Sequence, residues 1–364
     1  MSEIIEKDNI NGTEIYVVDD VASVKDKLTD YINGGLVAIL YDVKLKEYAD
    51  NLARCFRGGN HQVFLTCLKG EIPAYTRFVV GIGAGRVSRE VREIATALNI
   101  DCSLVFSAPT TDSILSPIIA DKSHRAVFID TNMIDCCPRE CVASGWGIIW
   151  SEPLRNFEEF YKEKILDEKE DIDKNNVLCC GNDNINLAYC LLRLSSTRVC
   201  QDNATIMAGV LLDGARRQGK KTRLMGEYRF ISASVIATLY ENYLSSPTLD
   251  CAIPPAHDKK IDALSKLTGR SIGNLQKAFD FFDIDRYFRV GYILSEYRLD
   301  LLEKLRSVDF HSAQKKWRRL YADAGYWLKS AFTTKTLLTA MKLSAEIGNG
   351  LLRYIVESGF AEAC

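Results

Sequence analysis

One stretch of the chain, residues 78–117, constrains the fold more than any other. Its apolar start predicts a short buried strand at 78–82 that runs into glycines at positions 81, 83 and 85. A helical spacing of apolar residues follows, then a second apolar strand at 102–107 and the polar turn Pro109-Thr110-Thr111-Asp112. This order is typical of a diphosphate site, because glycine lets the backbone approach the ligand and a helix N-terminus offers unpaired N–H donors.

The same alternation continues on both sides of that stretch. Apolar runs predict strands at 13–19, 36–40, 62–67 and 126–130, with helical patterns between them. This rhythm predicts an α/β domain over residues 1–150, built on a parallel, Rossmann-like sheet with helices on both faces.

The second half of the chain has a different texture. The charge-rich segment 155–176 is expected to be exposed at a boundary, and from residue 182 the periodicity is helical almost throughout. Helices at 258–268 and 272–281 follow the clearest break, Pro254-Pro255. Residues 151–364 are therefore expected to form an all-α domain, with 308–364 as a C-terminal extension.

Composition restricts the class of protein. A formal net charge of −2 argues against nucleic acid as a partner, since such proteins are attracted to phosphates by excess positive charge. No apolar run approaches the roughly 18 residues of a membrane span, and the polar N-terminus lacks the apolar core of a signal peptide. These features indicate a cytoplasmic protein. Its 12 cysteines lack zinc-like spacing and are expected to be reduced thiols.

Three segments carry a resemblance to a known family. They are Gly83-Ala84-Gly85-Arg86-Val87, the run from Ser107 to Pro117, and the run from Pro138 to Gly147. Together they resemble the family of glycerol-1-phosphate dehydrogenase, glycerol dehydrogenase, the iron-type alcohol dehydrogenases and dehydroquinate synthase. The resemblance covers roughly residues 14–305 and is closest to the glycerol-1-phosphate dehydrogenase branch, while no counterpart is assigned to 311–364. It implies a dehydroquinate synthase-like fold with the cofactor in a cleft between two domains.

The resemblance implies a site for NAD or NADP and a small-molecule substrate, a polyol or polyol phosphate. Asp112 would orient the substrate hydroxyls. The residues implied to hold the cofactor are Asp42, Gly83, Ala84, Gly85, Arg86, Val87, Thr110, Thr111 and Ser116.

Two alternatives stay open at that site. Asp42 closes a strand where a carboxylate can hold an adenosine ribose and repel a 2′-phosphate, but it also fits a solvated strand end. Arg86 and Arg89 can reach a phosphate, which would allow NADP, or can lie on the surface of a helix.

The chain departs from the family at the metal site. In the family, one aspartate and two histidines hold a divalent metal that polarises the substrate oxygen. The corresponding positions here carry Ile148, Tyr228 and the pair Ser245-Ser246, and His257 lies too far along to substitute. We therefore predict no metal at this place. Tyr228 is a candidate proton donor, or a tyrosine that simply fills the vacated pocket.

Three functions remain open from the sequence. The first is an NAD(P)-dependent oxidoreductase of the alcohol dehydrogenase class that works without the usual metal. The second is a catalytically degenerate relative that binds nucleotides or acts as a scaffold. The third is non-redox chemistry of the dehydroquinate synthase type in the same cleft. The oligomeric state is open as well, with a homo-oligomer as one option.

Overall fold

The computed structural model describes residues 4–32, 34–116, 122–167, 183–197, 202–246, 284–307, 310–320, 332–347, 350–358 and 360. The chain divides into two compact units, and the first division falls after Ile149. The helix Asn184–Thr197 belongs to the first unit, although it follows the predicted boundary at residue 150. Pro117, the break at Pro254-Pro255, His257 and the predicted helices 258–268 and 272–281 lie outside the described residues.

The first unit is organised around a seven-stranded sheet of order β1-β2-β7-β6-β5-β3-β4. Only β1 and β2 pair antiparallel, and every other neighbouring pair is parallel, as predicted. The strands are β1 (Ile4–Ile10), β2 (Thr13–Val18), β3 (Leu36–Tyr41), β4 (Gln62–Cys67), β5 (Thr76–Gly83), β6 (Asp101–Phe106) and β7 (Ala126–Asp130).

Strand β1 is an addition to the predicted pattern. It joins β2 through Asn11 and Gly12, whose φ angles of 49° and 83° are both positive. Two positive φ angles in a two-residue loop match the twist of a β-hairpin, and Asn-Gly is the pair that adopts them at least cost. The hairpin therefore places β1 at one edge of the sheet.

Helices cover both faces of this sheet. They are α1 (Val21–Thr29), α2 (Lys46–Gly58), α3 (Gly85–Leu98), α4 (Thr131–Asp135), α5 (Arg139–Ile149) and α7 (Asn184–Thr197), with a 3₁₀ turn at Val43–Leu45. One face packs α1 and α2 against residues such as Ile39 and Val80. The other packs α3 and α7 against residues such as Val79 and Leu104.

The strand order reverses between β3 and β5, which are neighbours in the sheet. From β3 the chain passes through α2 to β4 on one side, and from β5 it passes through α3 to β6 on the other. In open parallel sheets such a reversal leaves a crevice outside the carboxyl ends of the two strands, where ligands bind. The fold thus points to the ends of β3 and β5.

Within its described residues, the second unit contains helices and no strand, as predicted. Its helices are α6 (Glu152–Tyr161), which continues as a π-helical turn at Lys162–Leu166, α8 (Asn203–Arg217), α9 (Met225–Ser245), α10 (Ile284–Ser307), α11 (Phe310–Leu320), α12 (Thr334–Ile347) and α13 (Leu351–Glu357). Met341 and Leu352 lie in the same apolar core as residues of α8 and α9. The last helices are therefore integral to this unit's core.

Two expectations need correction. The segment 155–176 was expected to be exposed, but in its described part, up to residue 167, α6 buries Phe157 and Tyr161 on one apolar face with the preceding Leu154. Residues 168–176 lie outside the described part of the chain. The cysteines were all expected to be reduced, but Cys190 is disulfide-bonded, while the free thiols include Cys102 and Cys137. Within the described ranges, no helix has the length and apolar character needed to cross a membrane.

Candidate functional site

The carboxyl ends of β3 and β5 bring Asp42 beside the glycine turn. The backbone N–H of Asp42 donates to the carbonyl of Ile82 at 3.1 Å, so the two strand ends stay paired to their last residues. Its carboxylate Oδ1 accepts from the N–H of Lys44 at 3.0 Å and caps the short 3₁₀ turn. The side chain is half-buried. An aspartate is thereby fixed next to Gly83.

The glycines at this edge are required by close packing. A Cβ on Gly83 would lie 2.4 Å from Cγ2 of Val87, and one on Gly81 would lie 2.9 Å from Cγ2 of Val91. Real Cβ atoms do not approach other atoms so closely, so a larger residue would push α3 away from β5. Helix α3 is thus seated directly on the strand that precedes it.

The N-terminus of α3 lacks a side-chain cap. Its capping position is Ala84, which has no hydrogen-bonding side chain, and its first turn contains no acidic residue. The first turn begins with Gly85, exposed Arg86 and Val87, whose buried side chain leaves only its backbone for a ligand. Uncapped N–H groups at the positive end of a helix dipole suit a phosphate.

The polar turn after β6 lies against the start of this helix. A Cβ on Gly85 would be 2.8 Å from Cγ2 of Thr111, so the two segments are in contact. Within the turn, the hydroxyls of Thr111 and Ser113 are 2.7 Å apart, and Asp112 between them is half-buried. Hydroxyl and carboxylate groups therefore stand next to the helix N-terminus.

Helix α5 holds the other side of the polar turn. The hydroxyl of Ser144 donates to the carbonyl of Thr110 at 3.1 Å. A Cβ on Gly145 would lie 2.3 Å from the carbonyl oxygen of Pro109, so only glycine allows this approach. The run 138–147, which carries part of the family resemblance, thus supports the turn that carries Thr110, Thr111 and Asp112.

Arg92 anchors the segment that follows the turn, a role that the sequence patterns did not predict. Its side chain is buried, with Nε donating to the carbonyl of Lys122 at 2.7 Å and Nη1 to that of Ser116 at 2.9 Å. Ser116, implied by the resemblance as a cofactor ligand, is itself buried, and its carbonyl is held by this hydrogen bond from Arg92. An arginine among the apolar positions of α3 is the only available signal.

Three buried polar side chains, one of them from α3, are linked to each other. Nε2 of His124 is 2.8 Å from the hydroxyl of Ser88, and its Nδ1 is 3.6 Å from the thiol of Cys102. Burial lowers the pKa of His124 to about 3, and the nearby Arg92 acts in the same direction, so the imidazole is neutral. Burial raises the pKa of Cys102 to about 12, so the thiol is protonated. These groups support α3 as neutral partners.

Tyr228 lies in α9 of the second unit and is fully buried. Its ring packs edge-to-face with Phe332, 5.8 Å between centroids, and its hydroxyl accepts from the N–H of Arg223 at 3.5 Å. Burial raises the pKa of Tyr228, with a smaller opposing effect from that hydrogen bond. The phenol therefore stays protonated, which suits a hydrogen-bond donor and does not suit a base.

The guanidinium of Arg229, which follows Tyr228 in the chain, is paired with acidic side chains. It donates to the carboxylates of Glu152 and Asp202, the latter at 2.7 Å. Both acceptors are largely buried. The positive charge of Arg229 is balanced by these two carboxylates.

The residues that the resemblance assigns to the metal positions are poor ligands for a divalent cation. Ile148 is a buried hydrocarbon, Tyr228 is a protonated phenol, and the hydroxyl of Ser245 accepts from Nη2 of Arg306 at 3.3 Å. None of these groups is a strong ligand for zinc or iron. The part of the chain that the structure describes contains no group of three or more histidine, cysteine or acidic residues able to hold a metal ion.

Comparison with known proteins finds similarity among solved structures. No family model matches the sequence, and no curated protein matches it. Solved structures do match. The iron-containing alcohol dehydrogenase of Thermococcus thioreducens has a TM-score of 0.51 at 11% identity, with 100% of this chain and 98% of that chain covered.

Two further structures are similar. A mutant of an archaeal halo-thermophilic alcohol dehydrogenase from a Red Sea brine pool has a TM-score of 0.50 at 12% identity, covering 99% of this chain and 95% of that one. Glycerol dehydrogenase of Schizosaccharomyces pombe has a TM-score of 0.49 at 14% identity, covering 88% and 94%. At such identities the likeness concerns the fold alone. The alignment with the Thermococcus enzyme includes the last helices, for which the sequence suggested no counterpart. The chain has the two-part fold of the iron-containing alcohol dehydrogenases, as predicted.

Proposed function

We propose that this protein is a nicotinamide-dependent oxidoreductase that acts on a small polyol or polyol phosphate without the metal that such enzymes usually carry. One observation supports the proposal above the others. At the reversal of strand order, a fixed carboxylate, an uncapped helix N-terminus and a hydroxyl-bearing turn lie together, carried by Asp42, Gly85 and Thr111. These are the groups that a dinucleotide needs.

The residues fit the cofactor as follows. The N–H groups at the start of α3 would bind the pyrophosphate, with Arg86 exposed beside them, and Thr110 and Thr111 would add hydroxyl contacts. The carboxylate of Asp42 would accept from the ribose hydroxyls and repel a 2′-phosphate, which favours NAD over NADP. Bound NAD supplies a hydride acceptor. Asp112 would orient the substrate hydroxyls.

Titration of the protein with NADH and NADPH by fluorescence tests the cofactor claim. The wild type should bind NADH more tightly than NADPH. Asp42→Asn keeps an oxygen that can cap the turn at Lys44 but removes the charge, so NADH affinity should fall about tenfold or more while NADPH affinity rises. If neither dinucleotide binds the wild type at millimolar concentration, the proposal is wrong.

A second candidate function is favoured by the residues at the positions that the resemblance assigns to the metal. Ile148 and buried Tyr228 are poor ligands for a metal ion, and Arg229 is paired with Asp202. This favours a nucleotide-binding relative that has lost catalysis. Assays with a panel of polyols and polyol phosphates, with and without added zinc, separate the two. Cofactor binding without turnover supports the degenerate relative, whereas turnover that does not depend on metal supports the oxidoreductase.

A further inference from the structure

Helix α10 carries an apolar stripe on its outer side. Phe288, Tyr292 and Leu299 are 48%, 69% and 66% exposed. With exposed Ser295 they follow a spacing of four, three and four residues, which places all four side chains along one line of the helix surface. Large apolar side chains that stand together on a surface mark a site of contact with another molecule.

The buried side of α10 is already occupied within the second unit. Tyr287, Leu294, Leu301 and Leu305 point into the helical core. Burial in the unit's own core therefore does not account for the stripe, because it lies on a different side of the helix.

The stripe is complementary to itself when a second copy runs antiparallel. Pairing about the midpoint between residues 293 and 294 places Phe288 against Leu299 of the copy and Tyr292 against Ser295 of the copy. In each of the two Tyr-Ser layers a large side chain meets a small one, which is the arrangement that closely packed helices need.

The charges beside the stripe fit the same arrangement. Arg289 and Glu296 are both exposed, lie on the same flank of the stripe, and make no hydrogen bond or ion pair with any described residue. In an antiparallel pair of helices this flank faces itself. Arg289 then meets Glu296 of the copy, and the twofold symmetry generates that ion pair twice.

We propose that the protein self-associates through α10, with two copies packed antiparallel on the stripe formed by Phe288, Tyr292, Ser295 and Leu299. A single pair of helices buries less surface than the roughly 800 Å² per partner of a stable interface. The dimer is therefore weak, and monomer and dimer exchange as the concentration changes. This inference is independent of the proposed catalytic function.

Sedimentation velocity over a wide range of concentrations tests the proposal through a charge swap. The wild type should shift from monomer to dimer as concentration rises. Arg289→Glu and Glu296→Arg should each weaken dimerisation about tenfold, because each places like charges together twice. The double variant Arg289→Glu/Glu296→Arg should restore wild-type dimerisation, since it regenerates both ion pairs.

Two further variants complete the design. Tyr292→Asp should abolish the dimer, because a carboxylate would be buried in the centre of the interface. Lys335→Glu changes an exposed charge on α12, away from the stripe, and should leave dimerisation unchanged. Circular dichroism verifies that each variant is folded. A wild type that stays monomeric at every concentration overturns the proposal, and so does a dimer that survives Tyr292→Asp or a double variant that fails to recover.

Discussion

The two units of this protein differ in how their polar groups are satisfied. In the first unit, polar groups collect at the end of the sheet, where α3 begins without a side-chain cap beside Asp42 and Thr111. In the second unit, buried charges meet each other: Arg229 binds Glu152 and Asp202. One unit gathers polar groups at the edge of its sheet, while the other pairs buried charges with each other.

Glu158 extends this contrast within the second unit. Its Oε1 accepts from the hydroxyl of Tyr240 at 2.6 Å and from Nδ2 of Asn203 at 2.9 Å, and all three side chains are buried. The difference teaches that the two units use polar side chains in different ways. The first unit keeps an uncapped helix N-terminus at the end of its sheet, while the second pairs its buried carboxylates with Arg229 or with neutral hydrogen-bond donors.

The largest expected effect breaks the charge balance of the second unit. Arg229→Ala removes the guanidinium from the buried carboxylates of Asp202 and Glu152, of which Glu152 keeps its pair with Arg155, and should lower the free energy of unfolding by about 3–5 kcal/mol. Urea unfolding followed by circular dichroism measures the loss. Arg306→Ala is the matched control, because it removes an exposed pair with Glu241 worth less than about 1 kcal/mol. Equal losses in the two variants would show that the buried cluster carries no special role.

A smaller effect depends on pH. Burial raises the pKa of Glu158 to about 7 from its ordinary 4.5, and hydrogen bonds from Tyr240 and Asn203 partly oppose the shift. Between these two values the folded protein retains a proton that the unfolded chain has lost. This contribution to stability is therefore complete below pH 4.5 and is lost as pH rises through 7.

Glu158→Gln mimics the protonated side chain and removes this dependence. The variant should match the wild type in stability near pH 4.5 and exceed it by about 3 kcal/mol at pH 8. Urea unfolding of both proteins at a series of pH values measures the difference, and effects of other groups cancel because they are shared. A difference that is constant with pH would contradict the raised pKa.

The smallest effect tests the glycine turn. Gly83→Ala forces Cβ against Val87, which should cost about 1–2 kcal/mol of stability and weaken NADH binding by moving the start of α3. Gly209→Ala in α8 is the control, since no atom lies within 4 Å of its added Cβ and alanine favours a helix by up to about 1 kcal/mol. Thermal unfolding should show a lower stability for Gly83→Ala and a higher stability for Gly209→Ala. NADH titration should show weaker binding for Gly83→Ala alone.

Much of the fold follows from local patterns. Strands β4 and β7 lie where their apolar runs predict, at 62–67 and 126–130. Strand β7 is buried along its whole length and is a continuous apolar stretch, as parallel strands covered on both faces are, whereas β4 lies at the edge of the sheet and is partly exposed. Strand β1 was not predicted because its middle residues are polar, although the pair Asn11-Gly12 is typical of the hairpin that follows it. The burial of α6 was hidden by its charges, although Leu154 and Phe157 lie on one face.

The candidate site is predictable only in part. Strand ends and glycines indicate Asp42 and Gly83, because both lie at the carboxyl edge of a parallel sheet. The contacts that hold the site in place join residues far apart in the chain, such as Gly145 to Pro109 and Arg92 to Lys122. No single-sequence pattern encodes which distant backbone atom a buried side chain meets.

The position of α7 has a consequence for biosynthesis. Its residues Ala188 and Leu192 complete the core on one face of the sheet, and Arg193 pairs with Asp8 of β1 at 3.0 Å. The ribosome makes α6, which belongs to the second unit, before it makes α7. During synthesis, one apolar face of the first unit's sheet therefore stays uncovered until α7 has been made, which is after α6 of the second unit. A fragment cut at residue 150 would lack that cover, so the smallest piece able to complete this sheet extends through α7.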